Sequence, residues 1–415
     1  MRHEPLRQFK LFDEAAPAAV DVTIVMPCLN EAQCLPYCIA NAREALSEIA
    51  ERYGLAGEIV IADNGSTDGS RELSTRLGAR VVPVAERGYG AALIGGSKAA
   101  RGRYILMGDA DGSYDFTDGV AMIGELESGA DLCMGSRFKG RISPGAMPWK
   151  NRYIGNPVLT GILNLFFRPG ISDAHSGLRA IRKEAFLKLG LSGFGMEFAS
   201  EMVIKAALKR LRIAETPVKL LPDLRDRPPH LRPWRDGWRH LRYLFMLSPT
   251  WVFGVPAAVG AAVSLALLCA AVTQQVAPGT FPAIGNYWAI FAASLLGVSH
   301  MAAILAAAGN LYGVRVGYRL PSSGSRRLAR LVSLETMLIA GVALMGAGLA
   351  VLAFVVWLWQ ERDFGATYSV VPAVIGTLGL TLGFQNVLGG FLLSIVGGNE
   401  ARFMDIAEAG AEPGG

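Results

Sequence analysis

Asp109 and Asp111 stand one residue apart at the end of a short apolar run, residues 104–107, in the stretch Leu106-Met107-Gly108-Asp109-Ala110-Asp111-Gly112. Two carboxylates closing a buried strand can hold a hard divalent cation. Mg²⁺ and Mn²⁺ take oxygen ligands, commonly one or two carboxylates plus the phosphates of a substrate. The competing reading is a plain turn in which Asp111-Gly112 reverses the chain. Two other polar loops keep this pair company, Pro27-Cys28-Leu29-Asn30-Glu31 and Asp63-Asn64-Gly65-Ser66-Thr67-Asp68, and each follows its own apolar run. Asp63 closes a buried-type strand and is placed to accept hydrogen bonds from a base or a ribose. Ser66 or Thr67 is expected to cap the helix that follows.

These residues need elements to position them, and the pattern supplies an alternation. Strands are predicted over 22–26, 58–62, 79–84 and 104–107, with helices over 32–52, 67–77 and 90–100 between them. Such alternation builds a mainly parallel sheet with helices on both faces and ligands at the C-terminal strand ends. The three polar loops should therefore meet at one edge and form a nucleotide site. Arg87-Gly88-Tyr89-Gly90 is not a dinucleotide fingerprint, because the third glycine is missing and the loop follows the third strand. Cys34 and Cys38, four apart on a helix, read as packing residues, and the five cysteines show no zinc spacing.

Pro27-x-x-Asn30-Glu31, Asp63-Asn64, Gly88-Tyr89-Gly90-Ala91 and Asp109-Ala110-Asp111, in this order, resemble the family 2 glycosyltransferases of the GT-A fold, most of all the dolichol-phosphate mannose synthase branch. The resemblance spans roughly residues 20–220. It implies that Pro27, Asn30, Glu31, Asp63, Asn64 and Gly88 line the donor, Pro27, Glu31 and Asp63 holding its uridine or guanosine. Asp109, Ala110 and Asp111 would hold the diphosphate and the Mg²⁺ or Mn²⁺. Asn64 departs from the family, where many members carry a second acid. Met134-Gly135-Ser136-Arg137 and Asp173-Ala174-His175-Ser176-Gly177-Leu178-Arg179 resemble the segments that line the acceptor, which gives Ser136, Arg137, Ser176 and Arg179 that duty. Glu201 matches the family acid before the last catalytic-domain helix. The catalytic set implied is Asp111, Arg137, Arg179 and Glu201.

At 415 residues and 51% hydrophobic the chain is too apolar for an ordinary soluble protein. The excess is concentrated in four nearly uncharged segments, 252–272, 287–311, 337–359 and 370–396, each at or above the ~20 residues that cross a bilayer. Arg315, Arg319, Arg326, Arg327 and Arg330 crowd one connection, while 274–286 carries no charge, so the positive-inside rule puts the first domain and the C-terminus in the cytoplasm. With no apolar segment before residue 20, no leader is expected. Between Lys205 and Arg242 eleven basic residues face four acids, and Trp234, Trp238, Leu241 and Phe245 form one helical stripe beside Arg235, Arg239 and Arg242. That is an amphipathic helix for a membrane surface. His300, Asn310, Gln385 and Asn386 read as bonds between membrane helices.

The expected order is a tail (1–20), a GT-A domain (21–230), an interface helix (231–250), four transmembrane helices (251–398) and a cytoplasmic tail (399–415). The expected reaction moves a sugar from a UDP- or GDP-linked donor to a polyprenyl phosphate. Partners are the donor, the lipid phosphate and the membrane, with no nucleic acid, and a homo-oligomer is allowed. A processive polysaccharide synthase is disfavoured, because its Gln-x-x-Arg-Trp and Thr-Glu-Asp segments are missing. A translocator with a sugar-nucleotide sensing domain is the alternative from another class.

Overall fold

The computed structural model describes residues 20–226, 233–281, 283–321, 332–365 and 369–398. The expected tails, apart from residue 20, lie outside these residues, as do Arg227 to Arg232, the Trp234 side chain, and Arg326, Arg327 and Arg330.

Strands and helices alternate as β1 (Val22–Cys28), α1 (Leu35–Tyr53), β2 (Gly57–Asp63), α2 (Ser70–Arg76), β3 (Arg80–Pro83), α3 (Tyr89–Ala99), β4 (Tyr104–Met107), α4 (Asp118–Glu127) and β5 (Leu132–Ile142). Then come α5 (Asn156–Phe167), β6 (Arg179–Arg182), α6 (Lys183–Leu189), α7 (Phe198–Leu208) and β7 (Ile213–Leu220). Ile24, Met26, Ile61 and Leu106 are wholly buried, as expected of strands covered on both faces. On α1, Leu35, Cys38, Ile39, Ala42, Ala45 and Ile49 form the apolar stripe that faces the sheet. Cys34 and Cys38 are packing residues, and burial pushes the Cys38 thiol up to about 12.

The seven strands form one sheet in the order β3-β2-β1-β4-β6-β5-β7. β1 is parallel to β2 and β4, and β2 to β3, whereas β6 runs against both β4 and β5. Its first residue, Arg179, pairs with Met107 on one side and Met134 on the other. A reversed strand begins at the edge where its parallel neighbours finish. The lead-in to β6, residues 173–178, therefore arrives beside the loop that carries Asp109 and Asp111.

The chain forms two compact units, Met1–Leu241 and Arg242–Gly415. Their boundary falls inside α8 (Pro233–Met246), within the stretch expected to be a separate interface helix. In the second unit a π-helical turn, Thr250–Gly254, leads into α9 (Val255–Val276), followed by α10 (Asn286–Arg315), α11 (Leu334–Gln360) and α12 (Val371–Gly397). Among the described residues these four helices are long and apolar enough to cross a membrane. α11 and α12 pack backbone to backbone: a Cβ at Gly348 would come within 2.6 Å of the Gly376 carbonyl oxygen. Small residues permit such approach where lipid provides no hydrophobic drive between helices. Of the intramembrane polar groups, His300 Nδ1 lies 2.9 Å from Gln385 Oε1 and Asn310 Nδ2 donates to Thr250 Oγ1 at 3.2 Å.

Candidate active site

The loops leaving β1 and β2 are clamped together. Asn30 has φ +58°, a left-handed conformation that asparagine tolerates better than most residues. Its side-chain oxygen accepts the Thr67 N–H at 2.8 Å, and its own N–H donates to Ser66 Oγ at 2.9 Å. The Glu31 N–H donates to Ser70 Oγ and the Ala32 N–H to Asp68 Oδ2. The expected capping by Ser66 or Thr67 is corrected. α2 starts at Ser70 behind Gly69 with no side-chain cap, and Ser66 and Thr67 hold the β1 loop instead.

Asp63 is almost wholly buried and gathers its own loop: Oδ2 accepts from Gly65 N at 3.1 Å and Arg71 Nε at 2.5 Å, and Oδ1 accepts from Ser66 N at 3.1 Å. Burial alone would raise this acid, but the bonds from Ser66, Arg71 and Gly65 hold it below its ordinary value. Asn64 explains its own departure from an acid. Its Nδ2 donates to the carbonyls of Val84 and Glu86, and its Oδ1 accepts from Gly88 N at 2.7 Å. A carboxylate could not donate to either carbonyl, so Asn64 is a tie between β2 and the loop after β3. Beside it, Gly65, Arg71, Val84 and Arg87 line a cavity of about 390 Å³. Gly88 has φ +138°, and a Cβ there would lie 2.1 Å from the Phe194 carbonyl oxygen. Only glycine lets the two loops touch.

At the end of β4, Asp109 Oδ1 accepts the Tyr89 hydroxyl at 2.9 Å. Asp111 Oδ1 accepts from both N and Oγ of Ser113, at 2.9 and 2.6 Å. Ala110 between them is buried. The enclosing protein, and then the charge of Asp111, push Asp109 up to about 6. Asp111 Oδ2 accepts from Arg225 Nη2, and Arg225 Nη1 lies 3.5 Å from Glu31 Oε1. The loop after β7 brings that arginine in, Leu224 N donating to the Asp111 carbonyl at 2.9 Å. Burial would lower Arg225, but Asp111 and Glu31 hold it above its ordinary value. Crowded carboxylates that draw in a guanidinium suit a divalent cation, and two acids plus donor phosphates meet its usual ligand need. Asp109 and Asp111 therefore fit Mg²⁺ or Mn²⁺. Arg225 carried no signal of its own in a loop of arginines and prolines.

The lead-in to β6 closes the site from the other side. Gly177 N donates to the Tyr114 hydroxyl at 2.8 Å, and a Cβ at Gly177 would lie 2.5 Å from Asp109 Oδ2. The segment thus touches the expected metal carboxylate directly. Arg137 grips Asp173 with two bonds, Nε to Oδ2 at 2.6 Å and Nη2 to Oδ1 at 2.8 Å. Burial opposes its charge, but Tyr114 and Asp173 hold it above its ordinary value. Arg179 donates to the carbonyls of Ser176 at 2.8 Å, Ala199 at 2.9 Å and Ala174 at 3.4 Å, and burial lowers it. Ser136 Oγ lies 2.6 Å from Ser172 Oγ. Arg137 and Arg179, expected to line the acceptor, are buried and engaged, and they brace the segment. Ser176 Oγ is buried with no partner among the described residues.

Glu201, placed in the implied catalytic set, is built into the fold. It is wholly buried, accepts from Ser192 N at 3.0 Å and Gly193 N at 2.7 Å, and pairs with Lys205 at 2.6 Å. It anchors the turn before α7. Glu197, one helical turn earlier, accepts from Gly195 N at Oε1 and keeps Oε2 buried without a partner among the described residues. Pro27 lies in β1 opposite Ala62.

Residues 23–190 match the model of glycosyl transferase family 2, and residues 307–397 match the family 2 C-terminal transmembrane region. The low-salt glycan biosynthesis hexosyltransferase Agl6 of Haloferax volcanii is 34% identical over 384 residues, 91% of this chain and 90% of that relative. The chain is a family 2 glycosyltransferase. The dolichyl-phosphate beta-glucosyltransferase of Saccharomyces cerevisiae is 29% identical to this glycosyltransferase, over 48% of this chain and 66% of its own length. Among solved structures, glucosyl-3-phosphoglycerate synthase from Mycobacterium tuberculosis with Mn²⁺ and UDP-glucose overlays at a TM-score of 0.41, with 21% identity, 55% of this chain and 79% of that one covered. The enzyme has a GT-A-like, mostly parallel sheet domain followed by a helical membrane domain.

Proposed function

We propose that this enzyme transfers a sugar from a UDP- or GDP-linked donor to a polyprenyl phosphate at the cytoplasmic membrane face, giving a lipid-phosphate-linked monosaccharide. The observation that carries the reading is the register of β6, which sets the 173–179 segment against Asp109 in a chain with four membrane-length helices. A donor diphosphate at Asp109 and Asp111 would then meet its acceptor across Gly177. The similarity to a dolichyl-phosphate glucosyltransferase supports a lipid phosphate acceptor. The positively charged connection after α10 supports the orientation.

Asp109 and Asp111 would hold the metal, which when bound stabilises charge on the leaving diphosphate. The β1 and β2 loops, clamped through Asn30 and Ser66, form the wall for the nucleoside beside Asp63 and the cavity at Arg71 and Arg87. Arg225 withdraws from Asp111 as the donor enters. An acceptor phosphate is already largely ionised near neutral pH, with a second pKa of about 6, so it needs little help from a base. Arg137 and Asp173 hold the acceptor segment at a fixed distance from the donor, and positioning supplies most of the rate. The test is a screen of radiolabelled UDP- and GDP-sugars with polyprenyl phosphate, followed by lipid extraction. Label in the lipid fraction with one donor supports the reading, and label confined to free sugar with every donor overturns it.

A further inference from the structure

His175, Ser200 and His240 come from three separate elements: the lead-in to β6, α7 and α8. Ser200 Oγ lies 3.2 Å from His175 Nε2 and 2.8 Å from His240 Nδ1, and the two rings meet edge to face with centroids 4.8 Å apart. One hydroxyl proton cannot serve both rings. If Ser200 donates to one imidazole it accepts an N–H from the other, so the two tautomers are set together. Burial, then His240, Arg137 and Arg179, push His175 well below its ordinary pKa and keep it neutral. Its second nitrogen, Nδ1, is buried with no partner among the described residues, and so is Oγ of the next residue, Ser176. Buried polar atoms without partners are rare and require a reason.

α8 has a second face. Ser200 and His240 are buried, whereas Trp238 is 61% exposed and Arg235 and Arg242 are exposed. The helix ends at Met246, and the turn that opens the first membrane-length helix starts at Thr250. A bilayer is therefore the surface within its reach, and aromatic and basic side chains on one face suit it.

We propose that His240, Ser200 and His175 form a positioning link through which α8, seated on lipid, sets the 173–179 segment for the acceptor phosphate, leaving His175 Nδ1 and Ser176 Oγ to meet that ligand. The link rests on the proposed function for the identity of the acceptor. It predicts that acceptor use, and not donor binding, depends on a histidine ten residues ahead of the first membrane-length helix.

The test uses full-length enzyme in nanodiscs with anionic lipid. His240→Leu should raise the KM for polyprenyl phosphate roughly two- to tenfold, the worth of one buried hydrogen bond, with nucleotide affinity unchanged. His240→Asn, which keeps a polar atom near Nδ1, should recover most of the loss, and Ser200→Ala, which removes only the hydroxyl, should reproduce it. A purely packing role would favour leucine over asparagine and would overturn the proposal, as would equal losses for donor and acceptor. A second arm needs no acceptor: on lipid, amide exchange across 173–179 should be faster in His240→Leu than in the wild type. If the wild type transfers nothing to polyprenyl phosphate, the proposed function fails, and this exchange difference still decides the link. Identical exchange in the two proteins overturns it.

Discussion

Along the edge with Asp63 and Asp111, each acid pairs with an arginine brought in from another segment: Arg71 over Asp63 is 45% exposed, and Arg225 over Asp111, 13% exposed, rides on the loop after the last strand. Across the site the arrangement is inverted. Arg137 and Arg179 are buried, and their bonds go to Asp173 and to three backbone carbonyls that the fold itself fixes. The difference teaches which side is prepared for exchange. Under the proposed function, the first edge binds and releases the metal and the diphosphate, while Arg137 and Arg179 keep the acceptor segment in place.

Three substitutions sharpen this contrast. Asp111→Asn should lower transfer by roughly a hundred- to a thousandfold, the usual loss when a preorganised electrostatic stabiliser is removed, with little change in melting temperature. Initial rates and thermal unfolding check both halves, and a large drop in stability would mean that Asp111 is structural. Arg137→Ala should do the reverse, costing about 3–5 kcal/mol of stability because it leaves the Asp173 carboxylate buried and unpaired. Denaturant unfolding of the reconstituted enzyme measures this, and an unchanged midpoint would show that the pair does not hold the segment. Arg225→Gln should tighten Mn²⁺ binding in the absence of donor by roughly tenfold, since a charge-assisted bond to Asp111 no longer competes. Calorimetric titration with the metal alone reads it, and weaker binding would place Arg225 among the groups that help hold the donor.

The same two regions differ in how far the sequence revealed them. The donor loops follow apolar runs of parallel strands, so Asp63, Asp109 and Asp111 could be assigned to one edge before any coordinates. Four-residue β6, Arg179–Arg182, has an arginine at each end and no usable period, which hid its reversed direction. Its burial of Arg179 was hidden with it, because charge alone does not reveal that three carbonyls wait at the other end. Resemblance picked Glu201 but gave no sign that the Ser192–Gly193 turn takes up this carboxylate, since that follows from the fold alone. In the membrane half, length and hydropathy sufficed: 252–272 and its three companions fall within the observed helices but for one residue, Val370.

The most direct test of the account is the mass of the lipid product. Purified enzyme, divalent metal, the donor that labels lipid and polyprenyl phosphate should give one new species heavier than the acceptor by a single anhydrosugar, and polyprenol lacking the phosphate should give none. A ladder of added sugars, or equal product from polyprenol, would contradict a single transfer onto a lipid phosphate.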